Sequence, residues 1–177
     1  MKKFLSILVI ILTFFIIYFL QANFFTWFTI AGVMPNLFIV LVLWIGLFIG
    51  KKTGVIFGFI FGIYLDFIIG QSIGISSVMF AIIGILGEYL DKSFSKDSRI
   101  TIMLTVAAST AIYEIGIYVF RIIKFVTPIE IGAFASTLLI EILFNVVLVI
   151  ILYPLIQKAG YYVENIFKSK TIMTRYF

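Results

Sequence analysis

The chain contains no cysteine and no histidine. That excludes disulfides, thiol nucleophiles, imidazole bases and nearly every zinc or haem site. Charge is scarce as well: Asp, Glu, Lys and Arg together make up 12% of the 177 residues. No G-x-S-x-G, H-E-x-x-H or Walker loop occurs, and Ser76-Ser77 have no histidine to activate them. The breaks between apolar runs are too short to hold a nucleotide. Asp66 is the single aspartate inside an apolar run, so the paired aspartates of an intramembrane hydrolase are missing. No catalytic residue, metal ligand or cofactor is therefore expected.

What the chain has in excess suits lipid. It is 63% hydrophobic, with 21 Phe and a mean hydropathy of +1.25. A soluble core of this length does not require so much apolar surface. The expected fold is all-α: a polytopic transmembrane six-helix bundle forming one integral membrane domain over 1–177. The apolar runs place spans at about 4–20, 33–50, 53–69, 73–90, 100–123 and 132–156, near the length needed to cross a bilayer. The first run follows Lys2 and Lys3, is longer than the apolar stretch of a signal peptide and lacks a small-residue cleavage motif. It is read as a retained helix. Phe24–Phe28 (FFTWF) is an aromatic patch suited to the membrane–water boundary. Pro35 and Asn36 are expected at the outer end of the second helix, where proline is tolerated in a first turn. The stretch 157–177 mixes lysines with tyrosines and reads as an interfacial tail on an anionic leaflet, so membrane lipid is an expected partner.

The net charge of +5 does not point to nucleic acid, because the basic residues sit in short clusters between apolar runs. With six spans, Lys2, Lys3, Lys51, Lys52, Lys92, Lys96, Arg99, Lys158, Lys168, Lys170 and Arg175 share one side, eleven of the 13 basic residues. The positive-inside rule then places both termini in the cytoplasm.

One stretch organises the rest. In Gly54–Gly74 (GVIFGFIFGIYLDFIIGQSIG), Gly54, Gly58, Gly62, Asp66, Gly70 and Gly74 recur at every fourth residue. On a helix this spacing makes a bare groove with one acid in it. Such a ladder marks close packing, against a helix of this chain or of another protein. Three acids lie inside spans: Asp66, Glu114 and Glu141. Each costs roughly 2.5–3.5 kcal/mol facing lipid, so all three are expected to face the interior. At the helical rise Asp66 and Glu114 lie about 18 and 21 Å from the cytoplasmic side, at similar depth, and Glu141 lies near the midplane. Small or polar stripes mark the inward faces of the later helices: Ser77, Ala81, Gly84 and Glu88 on the fourth, Ala107, Ala111, Glu114, Tyr118 and Arg121 on the fifth, Thr137, Glu141 and Asn145 on the sixth. The acids fit a proton relay, a cation site or a substrate pocket. They also fit plain hydrogen bonding, Glu114 with Arg121 and Asp66 with Asn145 or a hydroxyl.

The order of these features resembles a known family. Met34-Pro35-Asn36 precedes the second helix; Gly58, Gly62, Asp66 and Gly70 form the ladder; Gly74 opens the fourth helix; Glu114 stands in the fifth, and Asn145 in the sixth with Pro154 near its end. Over nearly its whole length the chain looks like MreD, the small integral membrane protein of the bacterial rod-shape system. Pro35, Asn36, Gly58, Gly62, Asp66, Gly70 and Gly74 carry the family pattern, and Glu114 is a looser match. The resemblance implies a non-enzymatic scaffold in the bacterial inner membrane, within the complex that guides lateral peptidoglycan synthesis. Its implied partners are MreC, and directly or indirectly MreB and a SEDS polymerase with its transpeptidase. The family's fold is similar to the substrate-binding subunits of energy-coupling-factor vitamin transporters, which supplies the rival reading. Such a subunit usually presents alanines on its first helix, and Phe4–Leu20 has none.

Overall fold

The second helix sits at the centre. Its sequence, LFIVLVLWIGLF, is apolar on every face, the pattern of a helix enclosed on all sides. In the computed structural model every residue from Leu37 to Phe48 except Trp44 is buried. The structure describes residues 2–69, 72–93, 98–125 and 128–168. These form six helices: α1 (Lys2–Phe19), α2 (Leu37–Phe48), α3 (Lys51–Ile69), α4 (Ile75–Ser93), α5 (Arg99–Phe125) and α6 (Ile131–Lys168). A π-helical turn, Leu20–Phe24, prolongs α1. Three stretches, Lys3–Phe24, Arg99–Phe125 and Ile131–Phe167, are long and apolar enough to cross a membrane by themselves. The molecule is an all-α membrane bundle.

The glycine ladder is used inside the chain. A Cβ on Gly58 would lie 2.6 Å from the Phe80 carbonyl oxygen of α4, and one on Gly62 would run into the Ser77 backbone. A Cβ on Gly54 would stand 2.9 Å from both Gly46 Cα of α2 and the Gly84 carbonyl oxygen of α4. One on Gly87 would stand 2.6 Å from the Leu43 carbonyl oxygen. Three backbones thus meet where only glycine fits, the way helices associate when lipid removes the hydrophobic drive. The stripe Ser77, Gly84 faces this junction. Outside it, α1 is held by aromatic contact, with Phe14 stacked on Phe61 of α3 at 4.1 Å between ring centroids.

The basic helix ends fall in the same half of the bundle. The Lys51 backbone N–H donates to the Glu88 carboxylate, joining the start of α3 to the end of α4. The Arg99 guanidinium lies 5.3 Å over the Tyr153 ring, and Lys3 Nζ lies 5.9 Å over Phe167. This is called the basic end below.

Four expectations need correction. Helix α2 begins at Leu37, not at 33, and Asn36 is its N-cap. It is only about 18 Å long, so Pro35 and Asn36, which stand at that helix's outer end, lie deep in the bundle. Helix α6 does not stop at 156. It runs through Pro154 to Lys168, and over 157–168 it packs on α2, Gly160 lying against the Phe48 ring and Val163 buried. The proposed surface tail is therefore protein-packed as far as the structure describes it, and 169–177 lie outside the described residues. On α5 the buried face is Ile102, Thr105, Val106, Ser109, Thr110 and Tyr113, beside the expected stripe, whose Arg121 is exposed. On α6, Thr137 is exposed.

Candidate functional site

Because α2 ends at half depth, the opposite half of the bundle lacks a central helix. The chain reaches Asn36 through irregular backbone, which a membrane tolerates only where protein buries it or a cavity hydrates it. At Pro35 and Asn36 the backbone is enclosed by protein and a cleft opens beside it. Pro35 is buried, and its carbonyl accepts from Gln21 Nε2 at 3.0 Å. The Asn36 N–H donates to Asn145 Oδ1 at 2.8 Å, and Asn145 Nδ2 donates to Thr110 Oγ1 at 3.0 Å. Asn145 is 0% exposed. It therefore clamps the start of α2 to the middles of α5 and α6.

Asn36 also borders a cleft of about 200 Å³. Its walls carry Asp66 of α3, Ser72 and Ser76 before and on α4, and Tyr113, Glu114 and Arg121 of α5. Asp66 is 4% exposed, and its Oδ2 accepts from the Gly74 N–H at 2.7 Å. Gly74 has φ +104°, a conformation that side chains resist, and no atom lies near where its Cβ would be. Glycine is needed there for the backbone turn that aims its N–H at Asp66. At the mouth, Lys124 Nζ donates to Ser72 Oγ at 3.1 Å. Deeper in, the Tyr113 hydroxyl donates to Ser76 Oγ at 3.4 Å.

Glu114 meets Glu141. The two carboxyl groups are electrostatic neighbours between α5 and α6, with Arg121 as the nearby cation. Asn36 Oδ1 and Glu141 Oε1 find no partner among the described residues, so acceptor capacity remains at the cleft and at the carboxyl pair on its wall. The arrangement has a cationic rim, Arg121 and Lys124, over an acidic and amide interior. It is suited to binding a polar group.

A family model described as rod shape-determining protein MreD matches residues 1–159. The chain belongs to the MreD family. It is a rod shape-determining membrane protein. No curated protein and no solved structure matches it.

The candidate residues singled out from the sequence separate into two groups. Asn36, Asp66 and Gly74 build the cleft with Glu114, while Pro35 and Asn145 hold its floor. Gly54, Gly58 and Gly62 lie on the α3–α4 contact rather than in the cleft lining, with Gly62 against the backbone of Ser76 and Ser77. Gly70 lies outside the described residues. Asp66 takes the Gly74 N–H rather than Asn145, while Glu114 has the expected Arg121 as a neighbour and Glu141 besides. Sequence reasoning missed Thr110, Tyr113, Ser72 and Ser76. The hydroxyls of Thr105, Ser109 and Thr110 at helical spacing were the available signal for the inward face of α5.

Proposed function

We propose that this protein works by binding rather than catalysis, as a multi-pass scaffold of the cell-elongation complex in the bacterial inner membrane. The basic end faces the cytoplasm by the positive-inside rule, which turns the polar cleft toward the wall-synthesis side. Membership of the MreD family carries this reading. The glycine ladder is consumed between α3 and α4, so contacts with MreC and with the polymerase–transpeptidase pair fall on other surfaces, the cleft among them. MreB, on the cytoplasmic side, is reached indirectly. Through these contacts the protein regulates lateral peptidoglycan synthesis and cell shape.

The cleft's size weighs against a vitamin-binding transporter subunit. At about 200 Å³ it is below the roughly 300–1,000 Å³ typical of small-molecule pockets. The test is depletion with affinity purification. Rod-shaped cells depleted of the protein should round up, and the tagged protein should carry a single-pass coiled-coil membrane partner with it. Unchanged shape and wall insertion on depletion would refute the scaffold, and copurification of an ATPase module would favour the transporter.

A further inference from the structure

A second recess lies outside the cleft. Between α1, α2 and α6 runs a groove of about 550 Å³, lined from Leu5 to Leu20 on α1, Leu37 to Trp44 on α2 and Leu152 to Ile166 on α6. Its floor is buried at Ile10, Val40 and Val163, while its rim at Leu5, Val9 and Leu155 is exposed. It therefore opens sideways, where a membrane protein meets lipid.

The lining decides between occupants. A transmembrane helix approaches another over small residues. Here Ser6, Thr13 and Ala159 are the small ones, and branched aliphatic side chains make up most of the remainder. Thr13 Oγ1 donates to the Val9 carbonyl at 2.8 Å, and Trp44 Nε1 to the Ile156 carbonyl at 2.9 Å. These polar atoms are thus committed within the chain. A flexible hydrocarbon chain fits such a wall better than a rigid backbone does. The charge at one end identifies the headgroup. Lys3 reaches from α1 across to Phe167 of α6 at the basic end, and Lys158, exposed and next in sequence to the lining Ala159, stands about 13 Å along α6 from Phe167. Lysines near a membrane surface attract anionic lipid and reach it by laying their stems along apolar surface.

We propose that this groove binds an anionic phospholipid of the leaflet at the basic end, one acyl chain lying between α1, α2 and α6 and the headgroup meeting Lys3 and Lys158. The lipid completes the attachment of α1, whose own contacts with the bundle are few. Lipid and the helix of another protein then occupy different surfaces.

Trp44 lines the groove, and the chain has only two tryptophans. A Trp27→Phe protein therefore reports on the groove alone. It is reconstituted in mixed vesicles of phosphatidylglycerol and phosphatidylcholine, with bromine on the acyl chains of one lipid or the other at equal mole fraction. Trp44 fluorescence should be quenched more by brominated phosphatidylglycerol, with a preference of about fivefold for each lysine involved. Lys3→Gln and Lys158→Gln should each reduce that preference, and added salt should weaken it. Val9→Phe, which fills the groove, should lower quenching in both arms while the far-UV circular dichroism stays unchanged. Equal quenching in the two arms would mean bulk lipid contact only and would overturn the proposal. Absent quenching in both, with cross-linked dimers, would overturn it in favour of a second copy of the chain.

Discussion

Replacing Asn145 by leucine tests the clamp at the centre of the bundle. The substitution nearly keeps the volume and removes two hydrogen bonds, one from the Asn36 N–H and one to Thr110 Oγ1. Interhelical side-chain hydrogen bonds in membrane proteins contribute about 0.6 kcal/mol on average and at most about 1.7. The Asn36 N–H is a backbone donor, and leaving one unpaired away from water costs about 1–3 kcal/mol. Asn36 borders the cleft, where water reaches it, so the lower part of that range applies. The expected loss is about 2 kcal/mol. It is read by titrating the purified protein with a denaturing detergent in mixed micelles and following circular dichroism. Combining Asn145→Leu with Thr110→Val isolates one bond, and the pair should couple by about 0.6–1.7 kcal/mol. A loss below about 0.5 kcal/mol, the range of a surface substitution, with no coupling would refute the clamp.

Three further outcomes follow from the same geometry. Gly58→Leu puts four carbons against the Phe80 backbone and should cost about 3 kcal/mol or more, seen as reduced abundance in membranes; normal abundance would mean that α3 and α4 do not pack there. Gly74→Ala should cost about 1–2 kcal/mol through backbone strain alone, since nothing crowds its Cβ; the same detergent titration reads it, and an unchanged curve would remove the φ +104° turn from the account. Asp66→Asn keeps an acceptor for the Gly74 N–H and should stay within about 1 kcal/mol of the parent, whereas Asp66→Leu should lose about 1–3 kcal/mol. Equal behaviour of the two variants would show that the hydrogen bond does not matter.

Much of the bundle was legible because lipid simplifies the reading. Long apolar runs, lysine pairs and a glycine every fourth residue report the helices and their closest contact with little interference from tertiary context. The depth of α2 was not legible. Pro35 can open a helix at any level, and the apolar residues before it, Phe28 to Met34, look the same in a span as in a loop. Only the Asn36–Asn145–Thr110 bonds reveal that the helix starts halfway down. The length of α6 was hidden for a related reason. Pro154 and Lys158 look like an ending, yet a proline is tolerated inside a membrane helix, and beyond it Trp44 Nε1 donates to the Ile156 carbonyl, tying this part of α6 to α2. At the cleft the individual acids were visible, since an intramembrane carboxyl is rare and costly. Their partners were not, because pairing across helices depends on rotations of a few tens of degrees that the pattern of small residues on α5 does not fix.

The most direct test of the account asks whether the cleft is where this MreD-family protein does its work. Rod-shaped cells depleted of their own copy are complemented with the wild-type chain or with Arg121→Ala or Glu114→Gln, which alter the cleft and leave the glycine junction intact. Cell width and length are measured at matched membrane abundance. The wild-type chain should restore rods, and the two variants should give wide or round cells despite normal abundance. Rods of normal width from both variants at that abundance would contradict the account.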